Sequence, residues 1–195
     1  MREATIKRET KETNINLTIN LDGKGTSNIN TGCGFFDHML ELFARHSRFD
    51  LNVVCKGDIN VDYHHTVEDV GIVLGQAIKK SLGDMKGIVR YGTTILPMDE
   101  SLILTAIDIS GRSYLKFDLP TRANKIGDFP VELVEEFFLA FVRHAGITLH
   151  VRQITGSNAH HIIEGAFKSV ARSLRKAVAI DKDNMDAVPS TKGVL

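Results

Sequence analysis

The chain has 195 residues, 43% hydrophobic and 25% charged, an ordinary globular composition with enough length for a sizeable core. Its 24 Lys and Arg balance 24 Asp and Glu, which argues against a nucleic-acid protein working through a broad basic face. No run approaches the ~18 apolar residues of a membrane span, Met1 to Thr13 lacks the apolar stretch of a secretory leader, and Cys33 and Cys55 make no disulfide framework, so a cytoplasmic location is expected.

In chain order, Ile15, Leu17, Ile19 and Leu21 alternate with Asn14, Asn16, Thr18 and Asn20, which predicts a strand with one wet face. Phe36, Met39, Leu40 and Phe43 have helical spacing. A short β-type run at 50–55 follows, and then a longer helical run through Val67, Val70, Val73, Leu74, Ala77 and Ile78. Gly83 and Gly87 break the chain. Leu102 to Ile109 is continuously apolar, like a more buried strand. Val134, Phe137, Phe138 and Phe141 repeat the helical spacing, 147–152 repeats the short strand, and Ile163, Ala166, Phe167, Val170, Ala171 and Leu174 repeat the long helix. The tail from 181 has no periodicity.

The order of elements is thus written twice. HHTVED at 64–69 matches HHIIEG at 160–165, DHMLELFARH at 37–46 matches EEFFLAFVRH at 135–144, and KETNINLTINLDG at 11–23 matches DESLILTAIDISG at 99–111. Three blocks in one order read as a duplicated unit. The expected organisation is an α+β fold with a first repeat at 1–86, a second at 87–180, and a tail at 181–195 that contributes to the substrate site. Each half reads strand, an optional second strand, helix, strand, helix, with helices layered on a small sheet.

Eight histidines are more than this length calls for, and seven of them fall in the repeated blocks. At a helix start, successive residues are about 100° apart and i and i+4 share a face. His64 and Glu68 can therefore hold one ion while His65 points to another centre; His160, Glu164 and His161 repeat this. Imidazole and carboxylate without thiolate suit Mn, Fe, Co, Ni or Zn. His38 and Glu136 occupy matching helix positions and are both ligand types. His46 and His144 match each other and read as structural or substrate-facing.

HHTVED with HHIIE, DHML at 37–40, RYGTTILPMDE at 90–100, DISGRSYL at 108–115 and PSTKG at 189–193 together resemble the imidazoleglycerol-phosphate dehydratase family over nearly the whole chain. The resemblance implies a duplicated α+β unit, each half a four-stranded sheet with two helices on one face. It implies dehydration of imidazoleglycerol phosphate to imidazole-acetol phosphate and water, in histidine biosynthesis, through a metal-stabilised imidazolate. It implies two Mn2+ per active site and a homo-oligomer, a 24-mer, whose sites are shared between subunits. The metal ligands would be His38, His64, His65, Glu68, Glu136, His160, His161 and Glu164. Position 136 is often histidine in the family; Glu136 would ligate directly, or water or His144 would fill the place. His64, Glu68 and Glu136 would share one ion with a neighbour's His161, and His65 the other with His160, Glu164 and His38.

Glu12 corresponds to the family's substrate-facing glutamate and is the candidate base, with His65 and His161 as the other catalytic groups. Glu100 repeats Glu12, and the sequence alone does not tell the two apart. His38 and His46 would face the substrate, and the phosphate would be met by Arg90, Arg112, Lys168, Ser190, Thr191 and Lys192, since Arg and Lys suit a phosphate. Competing classes are a metal-glued assembly without phosphate cations, a di-metal hydrolase, and an RNA-binding module. The last is opposed by neutral charge and the absence of an aromatic platform.

Overall fold

The computed structural model describes residues 2–193 and 195; positions 1 and 194 of the expected first repeat and tail lie outside the described residues. The first half runs β1 (Glu3–Glu9), β2 (Thr13–Asn20), β3 (Ser27–Asn30), α1 (Gly34–Ser47), β4 (Asp50–Gly57) and α2 (His64–Leu82). The second runs β5 (Tyr91–Met98), β6 (Ser101–Asp108), β7 (Tyr114–Asp118), a small hairpin β8 (Lys125–Ile126) and β9 (Phe129–Pro130), α3 (Leu133–Ala145), β10 (Thr148–Thr155) and α4 (Ala159–Val178). The sheet orders, β1-β2-β4-β3 and β5-β6-β10-β7, are the same topology twice. In each, the third strand is the parallel edge and the other pairings are antiparallel.

Side-chain alternation places the core. Ile15, Leu17 and Ile19 are fully buried while Asn14 and Asn16 face out. Every apolar helix position singled out by spacing is buried. The expectation for the second-half strand needs correction. β6 alternates like β2, burying Ser101, Ile103, Thr105 and Ile107 and leaving Leu102 and Leu104 half-exposed on the outer face. Small polar groups line the inner face because α4 lies close to it. Thr105 Oγ1 meets Ser169 Oγ at 2.6 Å, and a Cβ on Gly92 would overlap the Ser173 carbonyl. The apolar character of Leu102 and Leu104 is turned outward, beside the exposed Ile95.

The helices of the two halves meet in one hydrophobic cluster, with α2 packed on α3 and α1 on α4. Phe137 of α3 lies 5.3 Å from both Phe36 of α1 and Phe167 of α4, centroid to centroid. Gly71 and Gly75 of α2, one turn apart, let the α3 backbone approach. A Cβ on Gly75 would sit 2.5 Å from the Phe141 carbonyl oxygen and 2.8 Å from the Ala145 nitrogen. The inserted hairpin plugs the end of this layer. Phe129 is buried against Phe35 and Phe36, and Asp128 accepts the Tyr63 hydroxyl at 2.6 Å, just before α2. No helix of the described residues is long and apolar enough to cross a membrane.

Because backbone atoms crowd Gly75, Gly75→Ala must push α2 from α3. A loss of about 1–3 kcal/mol is expected from overpacking, against a helix-propensity gain of about 1 kcal/mol. Gly34→Ala, with nothing within 4 Å of its new Cβ, is the control and should stay within about 0.5 kcal/mol. Urea unfolding midpoints of the two variants check the difference.

Candidate metal and substrate site

Both His-His pairs open a helix, as their spacing predicts: α2 begins at His64 and α4 at Ala159. The α4 start is built firmly. The Asn158 side chain accepts from the backbone N–H of His160 and His161, satisfying groups that a helix end leaves unpaired. Glu100, in the turn between β5 and β6, accepts the N–H of Ser157 at 3.1 Å and of Asn158 at 2.8 Å. At α2 the Asp62 carboxylate accepts the His64 N–H at 2.7 Å.

In each motif the first histidine faces its own glutamate one turn on. His160 Nε2 lies 3.1 Å from Glu164 Oε2, and His64 Nε2 lies 3.7 Å from Glu68 Oε2. Helix α1 adds His38, whose Nε2 is 3.9 Å from the same Glu164 oxygen. The ligand atoms of His38, His160 and Glu164 all lie within 4.8 Å of one another, the one such trio among the described residues. Two imidazoles and a carboxylate at that spacing fit a first-row divalent ion. Glu136, half-buried in the first turn of α3, joins no such group with His64 and Glu68 in this chain. His144 is turned away from such use, its Nδ1 donating to the Ala140 carbonyl at 2.8 Å.

Glu164 divides its two oxygens. Oε2 faces the imidazoles and Oε1 is bonded by the Lys168 ammonium, one helical turn along. Burial pushes its carboxyl up, but the hydrogen bond and charge of Lys168, helped by His160, outweigh that and leave it below its usual value. His46, on α1 above this face, is held below the ordinary imidazole value by burial and by the charges of Lys168 and Arg172.

The second histidine of each motif turns to a carboxylate from outside its helix. His161 Nδ1 is 2.7 Å from Glu100 Oε2, and His65 Nδ1 is 2.9 Å from Asp58 Oδ2. These bonds raise both imidazoles above their ordinary value. The symmetry then breaks. Glu100 is committed to His161, Ser157, Asn158 and Ser101, whereas Glu12 stands half-exposed, its Oε1 3.7 Å from His65 Nε2. The two glutamates that duplication made alike therefore differ in availability.

The residues matched to phosphate lie in two places. Arg90, largely buried, donates to Asp108 at 2.7 Å and to the Pro189 carbonyl at 2.8 Å, with its guanidinium 4.8 Å from the Tyr91 ring centre. It thus pins the tail where Ser190 begins a turn: Ser190 Oγ accepts the Lys192 N–H, and its carbonyl the Gly193 N–H. Thr191 and Lys192 are exposed. The chain end at Leu195 returns to Gly111, next to Arg112, whose backbone N–H is 3.3 Å from Ser110 Oγ. Lys168 is apart from this group, beside Glu164 and Met98. Sequence reasoning missed Asp58, Asp108 and Asp69, single acids whose partners are distant in the chain. Buried Asp69 accepts from Thr13 Oγ1 at 2.5 Å and from Arg8.

The Glu100–His161 pair carries a pH signature. The His161 hydrogen bond, with the two backbone N–H groups, holds Glu100 well below the usual carboxylate range, so its contribution is lost only as pH falls through that depressed value. The His161 contribution is complete below the ordinary ~6.5 and is lost as pH rises through its raised value. In metal-free protein, Glu100→Gln is expected to lower the thermal midpoint more at about pH 6 than at about pH 9, modestly because the pair is partly exposed. Equal losses at both would mean the charge contributes nothing.

A profile of the family described as imidazoleglycerol-phosphate dehydratase matches residues 31–174. The chain is 60% identical over 195 residues to the protein of that name from Azorhizobium caulinodans, covering 100% of this chain and 99% of that one. It is 58% identical over 194 residues to the one from Desulforamulus reducens, covering 100% and 98%. The fold matches the crystal structure of imidazoleglycerol-phosphate dehydratase from Staphylococcus aureus with a TM-score of 0.84 at 44% identity, over 92% of this chain and 99% of that chain. It matches the Pyrococcus furiosus structure with a TM-score of 0.84 at 36% identity, over 97% and 100%. This chain belongs to the imidazoleglycerol-phosphate dehydratase family, the hydro-lyases of histidine biosynthesis.

Proposed function

We propose that the chain dehydrates imidazoleglycerol phosphate to imidazole-acetol phosphate and water with two Mn2+ ions per site, in a homo-oligomer whose sites are shared between subunits. The observation that carries this is the convergence of His38, His160 and Glu164 from helices of both halves. One ion would be held by these three with His65 of the partner subunit. The other would be held by His64, Glu68 and Glu136 with His161 of the partner subunit. When bound, such ions supply Lewis acidity at the substrate's ring nitrogens, easing negative charge on the imidazole.

The chain's own groups do the rest. The reaction breaks a C–O bond at the carbon bearing the ring and a C–H bond at its neighbour; hydroxide leaves and a proton must be taken up. Glu12 is suited to that proton because its carboxylate is half-exposed and not consumed by backbone N–H groups, unlike Glu100. Arg112, Lys192, Ser190 and Thr191 at the tail would meet the phosphate, with Arg90 beneath them and Lys168 arriving beside the metal trio. Separation of Lys168 from the tail group within one chain favours a site completed by a second copy, as does the outward apolar face of Leu102, Leu104, Ile95 and the 47%-exposed Ile154. A 24-mer of octahedral symmetry in the cytoplasm is the assembly this reading adopts from the family.

Protein stripped with chelator is expected to lose dehydration of imidazoleglycerol phosphate and to regain it with Mn2+, the ketone being read directly. Turnover that survives complete metal removal, or release of inorganic phosphate in place of the ketone, would overturn the proposal. Gel filtration should give a particle far above the chain mass, and full activity in a monomer would contradict the shared site.

A further inference from the structure

The two halves solve one local problem with different residues. Each must hold the Nδ1 of the second histidine in its motif. In the second half Glu100 does so, reaching His161 from the β5–β6 turn at 2.7 Å. In the first half the bond to His65 comes from Asp58, directly after β4. Gly57, the last residue of β4, pairs with Thr13 of β2, and Gly156, just past the bulged end of β10, lies against the matching Ser101 of β6, so Asp58 corresponds to Ser157. Ser157 offers no carboxylate; its N–H is instead a donor to Glu100, at 3.1 Å.

Asp58 is fastened to both groups that matter around it. Its backbone N–H donates to the Glu12 carbonyl at 3.1 Å, tying it to the turn that carries Glu12. Its Oδ2 takes His65 Nδ1 at 2.9 Å, while its Oδ1 is buried with no hydrogen-bond partner among the described residues. An unpartnered buried carboxylate oxygen is costly, so this is no ordinary surface acid. An ionised carboxylate has no proton to give, so His65 must be the donor through Nδ1–H. That fixes the tautomer and leaves the Nε2 lone pair facing away, the arrangement found behind metal-binding histidines.

We infer that Asp58 is a positioning residue: it takes the Nδ1–H of His65, aims Nε2 at the ion, and so keeps the Glu12 carboxylate free of the place that Glu100 fills in the other half. The inference rests on the reading of His65 as a metal ligand and Glu12 as the base. Glu100 becomes, on the same grounds, the positioning residue of His161.

The test uses the full-length assembled protein and Mn2+ alone as the probe, its binding followed by the paramagnetic resonance of the free ion. Asp58→Ser copies what the second half already carries at that place. It is expected to weaken Mn2+ binding by about 10–100-fold, and kcat should fall with it. Asp58→Asn keeps an acceptor oxygen for Nδ1–H and should recover affinity to within a few-fold of wild type. A folded Asp58→Ser protein that binds Mn2+ as tightly as wild type overturns the role of Asp58 and leaves the proposed function standing. A wild-type chain that takes up no Mn2+ overturns the reading of the site itself.

Discussion

A carboxylate can only accept hydrogen bonds, and that constraint organises both helix starts. Where it meets an imidazole, the ring must supply the proton, and the choice of ring nitrogen decides what remains for a ligand. Within each His-His pair the two rings are set differently. The first turns Nε2 to its own glutamate one helical turn on; the second turns Nδ1 to an acid from outside the helix. Adjacent histidines thereby face different carboxylates without strain in the helix. The division between the two follows from the ~100° step, but its rigidity comes from Asp58 and Glu100.

Duplication explains why the machinery is paired, and divergence explains why the pair is unequal. Asp58 in one half and Ser157 in the other change which acid serves the imidazole. In the second half, Glu100 gains three further donors and becomes part of the scaffold of α4. In the first half the equivalent turn is secured by Thr13 and Arg8 on the buried Asp69, whose counterpart is Gly165. Structural duty has thus moved from the turn glutamate to other acids, leaving Glu12 half-exposed.

Much of this was legible because it is periodic or repeated. The buried faces of all four helices follow from apolar spacing, and His38, His160 and Glu164, which the structure brings together, are residues that the repeated blocks single out. Edge strands β1 and β5 were not legible and β3 and β7 only as an optional second strand, since an edge needs neither clean alternation nor apolar residues to pair on one side. The apolar run in β6 read as a more buried strand, but hydrophobicity does not say whether a face is covered by its own chain. Gly71 and Gly75 carry no local signal of their role, since their meaning lies in the α3 backbone opposite. Asp58 and Asp108 were invisible for the same reason: their significance is a partner seven and eighteen residues away, and no local pattern marks it.

The shared helical layer has a consequence for the site. His38 rides on α1 of the first half and His160 and Glu164 on α4 of the second, so their spacing is set by how α1 lies on α4. That contact is in turn set by Phe36 edge-on to Phe137, by Phe137 stacked on Phe167, and by Phe129 of the hairpin stacked on Phe36. Phe35 completes the link, edge-on to His160 with ring centres 5.4 Å apart and 5.1 Å from Phe129. The hairpin is an insertion in the second half only, so the duplicated unit alone does not supply it. Removing a buried Phe from such a cluster costs about 3–5 kcal/mol, and here the same loss would loosen the distances among His38, His160 and Glu164. Core packing and the geometry of that trio are therefore one constraint in this fold, and neither half could satisfy it alone.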